Sequence, residues 1–137
     1  MSVENRYHKE AKRWLDQAAE DLTSAEILFQ NERYYLVCFL SQQIVEKALK
    51  AVIYNDGEDL VLGHSVRNLI EKVSKIDIKF KPLKDKLPIL DSYYIPTSYP
   101  NGLPDGIPAD VFTQETARNA LELAKPTVEF VQKYIKA

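Results

Sequence analysis

Apolar residues recur at intervals of three and four along most of this chain, a rhythm that predicts helices rather than strands. From about Asn5 to Asn31, Trp14, Leu15, Ala18, Leu22, Ala25, Leu28 and Phe29 keep to one side. Glu10, Lys12, Asp16, Gln17, Glu20 and Glu26 take the others. No proline or glycine interrupts the run and alanine is frequent, so one long helix is expected. Asn31-Glu32-Arg33 makes a tight turn, and a second helix from about Arg33 to Asn55 returns antiparallel to the first. Val37, Leu40, Ile44, Ala48 and Val52 form its apolar side, widened by Val45 and Leu49. Asn55-Asp56-Gly57 ends it, with Gly57 suited to the left-handed residue past a helix end.

A third helix starts at His64-Ser65, either of which can cap it, and carries an apolar face of Val66, Leu69, Ile70 and Val73. Ile76 to Phe80 alternates too briefly to make a strand. Leu83, Leu87, Leu90, Tyr93 and Tyr94 mark a fourth helix, in which Pro88 removes a hydrogen bond and forces a bend or a division into two short pieces. From Ile95 to Val111, four prolines and two glycines predict a long loop anchored by Tyr99, Leu103, Ile107 and Val111. Loops of that length inside a small domain tend to carry function or to strap the bundle end. Thr113 caps a last helix with Glu115 in its first turn, and Ala117, Ala120, Leu121, Ala124, Val128, Val131 and Ile135 form its stripe. Pro126 should kink it. The whole reads as an all-α, up-and-down helical bundle of about five helices, two long antiparallel ones forming its spine.

The second helix also carries a polar stripe of Gln43, Glu46, Lys47 and Lys50, with Phe39 at its start. Glu46 and Lys50 stand four apart with the acid first, the favourable order for an exposed pair worth about 0.2–0.5 kcal/mol. The stripe is therefore either a solvated helix face or a set of donors and acceptors for a polyanion or a base. Asp21, at the edge of the first helix's apolar side, either pairs with a neighbouring lysine or tyrosine or joins that same polar cluster. His64, one of two histidines, is either a cap and packing residue or a proton carrier. His8 lies in a charged N-terminal turn and reads as incidental.

Bulk properties narrow the field. A chain of 137 residues with 45% hydrophobic and 28% charged positions suits one domain, residues 1–137, with a real core. The formal net charge of -2 gives no global attraction to nucleic acid, so any such site must be a local patch. The one cysteine, Cys38, stands among Leu36, Val37, Phe39 and Leu40 and reads as a buried, inert thiol in a reducing cytosol. The polar N-terminus does not read as a signal peptide, and no apolar run approaches the roughly 20 residues a bilayer requires. A cytoplasmic protein with no membrane contact is expected. No phosphate loop, dinucleotide-binding glycine motif or metal-spaced Cys/His cluster appears, so no metal and no cofactor are expected.

Gln42-Gln43 followed by Glu46-Lys47-Ala48-Leu49-Lys50-Ala51 resembles the signature of HEPN domains, small helical bundles. Further matches follow in family order: Ala18 and Asp21, Tyr34-Tyr35, Gly63-His64, Tyr94-x-x-Thr97-x-Tyr99-Pro100 and Phe112-Thr113. The likeness covers nearly the whole chain.

Many HEPN proteins are metal-independent ribonucleases that use an Arg-x4-6-His motif, in which arginine steadies phosphate and histidine moves a proton. No arginine here precedes a histidine at that spacing, and Ser98-Tyr99-Pro100 stands where related minimal HEPN proteins read Arg-Tyr-Pro. The resemblance therefore implies a nucleotide- or RNA-binding module rather than a standard nuclease. Such a module would act as a homodimer beside a separate minimal nucleotidyltransferase, in a toxin–antitoxin or stress-response pair. Its binding residues would be Asp21, Gln43, Glu46, Lys47, Lys50 and His64, with Tyr99 closing over them from the loop. The rivals are a ribonuclease toxin with rearranged catalytic groups, drawn from Lys47, His64 and Tyr99, and a non-catalytic dimeric scaffold.

Overall fold

Helix α1 (Val3–Gln30) and helix α2 (Tyr34–Asn55) run antiparallel along most of their lengths. His8 meets Asn55, Trp14 stacks on Tyr54, Asp21 reaches Lys47 and Phe29 packs on Tyr34, so positions fall on one helix as they rise on the other. The computed structural model describes residues 3–94, 103 and 105–136. The turn between the two helices places Glu32 in the left-handed region at φ 61, a conformation costing a non-glycine residue roughly 1–2 kcal/mol. The Arg33 amide bonds to the Leu28 carbonyl at 2.9 Å, and the edge-on contact of Phe29 with Tyr34 closes the corner. Gly57, at φ 109, occupies the left-handed position past the end of α2, as its place in the sequence predicts.

Helix α3 (Val66–Ile76) buries Val66, Leu69, Ile70 and Val73, the four residues its periodicity selects. The predicted fourth helix takes the divided form, though its pieces are 3-10 rather than α and begin earlier in the chain. They are η1 (Ile78–Lys84) and η2 (Pro88–Tyr93). Pro82 and Pro88 supply no backbone donor, which favours short pieces over a continuous α-helix. These pieces still plug the bundle's side, since Phe80 and Leu90, with Leu87 between the two helices, are fully buried. The end of the predicted long loop forms a one-turn helix, α4 (Pro108–Val111). Most of that loop, Tyr99 included, lies outside the described residues. Helix α5 (Gln114–Lys136) is opened by Thr113, whose hydroxyl accepts from the Thr116 amide at 3.2 Å, and it runs on through Pro126 to pack against α1 and α2. No strand occurs among the described residues, and none of their helices is long and apolar enough to cross a membrane.

The structure revises the reading of α2. Fourteen of its 22 residues are buried, Gln42, Glu46 and Lys50 among them, so it is the central helix rather than one with a solvated face. Helices α1, α3 and α5 and the η2 segment all pack on it, and they cover most of the polar stripe along with the apolar one. Cys38 is fully buried, and burial pushes its thiol up to about 12.

Candidate functional site

The stripe of α2 gathers partners from three other elements. Glu46 lies at the centre, with only 5% of its side chain exposed. One carboxylate oxygen sits 3.1 Å from Nδ1 of His64, and the other lies 3.4 Å from Nζ of Lys50. Lys50 is equally buried and holds its ammonium 5.4 Å from the centre of the Trp14 ring, a cation–π contact supplied by α1. Trp14 is itself fixed, donating its indole N–H to Glu10 at 3.1 Å and stacking on Tyr54.

His64 is the outward end of this row. Its side chain is 63% exposed, yet the ring is held on two sides: Nδ1 by Glu46, and one face by Tyr94, with centroids 5.6 Å apart and planes 17° from parallel. A carboxylate can only accept, so Nδ1 carries the hydrogen and Nε2 of the neutral ring presents its lone pair away from Glu46. The backbone at His64 is fixed as well. Gly63 before it has φ 99, and the His64 carbonyl accepts from the Gln42 side chain at 2.7 Å.

Asp91, on η2, completes the support and escaped the sequence reading. Its carboxylate accepts from the backbone amides of Val66 and Arg67 at 2.8 and 3.0 Å and from the Ser65 hydroxyl at 3.2 Å. Ser65 in turn accepts from the Asn68 amide at 3.2 Å. The first turn of α3 is thus capped twice, by its own Ser65 and by an acid from a distant segment that suits the positive end of the helix dipole. Nothing in the local sequence around Asp91 marks it for that role.

The remaining expected residues fall beside this row. Asp21 pairs with Lys47 across the α1–α2 seam and also accepts from Gln17 at 2.9 Å. The Gln43 side-chain amide donates to Oε1 of Gln42 at 2.9 Å. Lys47 lines an open groove of about 590 Å³ with Glu10, Arg13, Trp14, Asp16, Gln17 and Glu20. His64 lines a smaller hollow of about 220 Å³ with Leu60, Val61, Leu62, Ser65, Asn68 and Lys72. Glu46, Lys50 and His64 therefore form one connected group, with Asp21–Lys47 and Gln42–Gln43 flanking it. Trp14, Gln42 and Asp91 belong to the same network. Gln42 shares the quoted signature, whereas Trp14 reads in sequence only as a core residue. Among the described residues no group of His, Cys, Asp and Glu is placed to hold a metal ion.

A helical bundle whose central helix carries a Gln-Gln pair and buries a Glu-Lys pair, with Gly-His ahead of the next helix, carries the pattern that the sequence suggested. Residues 11–134 match the HEPN domain family, and the chain belongs to it. It is 30% identical over 137 residues to the protein named "Putative toxin MJ1304" from Methanocaldococcus jannaschii, covering 93% of this chain and 90% of that protein. The crystal structure of TT1696 from Thermus thermophilus superposes with a TM-score of 0.82 at 35% identity, over 90% of this chain and 96% of that one. ST0689, described as an archaeal HEPN homologue, superposes with a TM-score of 0.74 at 29% identity, over 91% of this chain and 97% of that one.

Proposed function

We propose that the chain works as one HEPN domain that binds RNA or a nucleotide, in the manner of a toxin-class protein. In this reading it acts in the cytoplasm as a homodimer, beside a separately encoded minimal nucleotidyltransferase. The observation that carries the ligand site is the exposed imidazole of His64 held by the nearly buried carboxylate of Glu46. Ordering an exposed side chain loses rotamer freedom. Here an internal ion pair, a stacked tyrosine and a doubly capped helix all hold that one ring, a pattern suited to pre-organised recognition. Lys47 and Gln43 stand nearest the surface along the same stripe and supply the phosphate and base contacts. Glu46 and Lys50 act from beneath, and Asp21 sets the position of Lys47. Tyr99 is proposed as the stacking residue that the loop brings over the site. The name of the Methanocaldococcus relative supports the toxin class.

The test is a thermal-shift panel with ATP, GTP, AMP and a short RNA, without added metal. A ligand at 100 times its dissociation constant adds about 2.7 kcal/mol and moves the midpoint by several degrees. The shift should vanish in Lys47→Ala/His64→Ala. A flat panel for the wild-type protein sinks the binding reading and leaves the dimeric scaffold.

A second reading is favoured by one feature: Nε2 of His64 has no partner among the described residues. A ring whose Nδ1–H is held by a carboxylate is set to accept a proton at Nε2, as a general base must. On RNA it would take the proton of a ribose 2′-hydroxyl while that oxygen attacks phosphorus. The P–O5′ bond then breaks, giving a 2′,3′-cyclic phosphate and a 5′-hydroxyl, whose proton comes from a separate acid. RNA cleavage that persists in chelator and is lost in His64→Ala supports this reading. Cleavage unchanged in that variant removes it.

A further inference from the structure

The lysines of this chain are unevenly placed. Six of the 13 fall between Lys72 and Lys86, with only Asp77 and Asp85 as acids in that span, although the formal net charge of the chain is -2. The fold carries this basic run from the last turns of α3 through η1, beside the last turn of α5, which contributes Lys133 and Lys136. Between them a cleft of about 460 Å³ is lined by Asn55, Lys79, Phe130, Lys133, Tyr134 and Ile135.

Two features make this cleft more than a charged surface. Phe80 is fully buried and meets Phe130 and Tyr134 edge-on at 4.9 and 5.0 Å, which fixes both rings in the cleft wall. Lys79 and Lys133 are exposed, and neither has a carboxylate partner among the described residues, whereas nearby Lys84 pairs with Glu71 and Lys125 with Glu26. Burial, and then the charges of Asp77 and Asp56, push the Tyr134 phenol up, so it remains a neutral donor near neutral pH. Those two acids disfavour an anion next to Tyr134 and leave the lysines as the phosphate end.

We propose that this cleft is a subsite for single-stranded RNA, with Lys79 and Lys133 on backbone phosphate and a base stacked against Phe130. Lysine meets phosphate as a point charge, and an exposed aromatic ring takes a base face whatever the sequence. An acidic peptide would use the lysines and leave the ring idle, so RNA fits the combination better. The class of ligand rests on the RNA reading above, but the residues do not: α3, 11 residues and about 16 Å long, separates η1 from His64.

The test is fluorescence anisotropy of a short labelled oligoadenylate with the full chain over a range of salt. Lys79→Glu/Lys133→Glu should weaken binding at least tenfold. Lys79→Gln/Lys133→Gln should lower the slope of log affinity against log salt by about 1.4, the effect of two lost phosphate contacts. Phe130→Ala should weaken binding on the order of tenfold without changing that slope. Full affinity in all three variants overturns the proposal, as does a wild-type protein that binds no RNA. Loss confined to Lys47→Ala/His64→Ala overturns it while sparing the other site, and loss confined to the cleft variants does the reverse. If polyglutamate competes as well as RNA and Phe130→Ala has no effect, the cleft is an acidic-polypeptide surface and the RNA proposal fails.

Discussion

Nδ1 of His64 lies 3.1 Å from a carboxylate oxygen of Glu46, so an imidazole that is 63% exposed is steered by an acid that is 5% exposed. The pair fixes a tautomer. Nitrogen-15 spectra of the neutral ring should place the hydrogen on Nδ1 and leave Nε2 unprotonated, and Glu46→Ala should return the ring to the mixture of a free imidazole. A hydrogen on Nε2 in the wild-type protein would mean that Glu46 does not orient the ring.

Glu46 and Lys50 form an ion pair with 5% exposure on each side. Desolvating two charges offsets much of their attraction, but removing Lys50 leaves the buried Glu46 charge with only the His64 Nδ1–H beside it, at a cost of about 3–5 kcal/mol. Lys50→Ala should therefore lower the unfolding free energy by about that amount in a urea titration. Replacing both residues, as in Glu46→Leu/Lys50→Met, should recover most of the loss. A single variant within about 1 kcal/mol of wild type would show that water reaches the pair.

Asp91→Ala should cost about 1–2 kcal/mol through loss of the second cap on α3. The signature is local: the Val66 and Arg67 amides, which lose their acceptor, should exchange with solvent faster while amides in the middle of α2 keep their protection. Uniform exchange across the chain would make Asp91 a packing residue rather than a cap.

Stability should fall in alkali. The unfolded chain releases the Cys38 proton near 9.0, whereas the folded one holds it to about 12, so the thiol's contribution is complete below pH 9 and is lost as pH rises toward 12. Between pH 9 and 10.5 the loss should be about 2 kcal/mol, and it should be largely absent in Cys38→Ala. Tyr93 and Tyr134, both raised chiefly by burial, add in the same direction above their ordinary value of 10.0. The folded protein should also resist a disulfide reagent at pH 8, and rapid labelling there would place Cys38 at the surface.

Periodicity alone reveals the bundle because its core is built from stripes: the four buried residues of α3 and the Ala117-to-Ile135 series of α5 stand in the sequence at helical spacing. Where proline breaks the spacing it foresees a bend or a division into short pieces, but not that the pieces are 3-10 helices or that the first begins at Ile78. It also misjudges α2, since amphipathic spacing cannot say how many neighbours a helix has. Glu46 and Lys50 look like an exposed pair at i and i+4, yet α1 and the start of α3 cover them. Asp91 and Trp14 escape because their roles are set across 25 and 36 residues of chain, by contacts with Val66 and Lys50 that no local pattern encodes.

The measurement that bears most directly on the function is the affinity of a short single-stranded RNA for the wild-type chain and for Lys47→Ala/His64→Ala, with urea titrations to verify that both are folded. The wild type should bind measurably, and the variant should lose at least tenfold. Equal affinity in two folded proteins would contradict the binding reading, and the row from Trp14 through Lys50 and Glu46 to His64 would then be part of the scaffold alone.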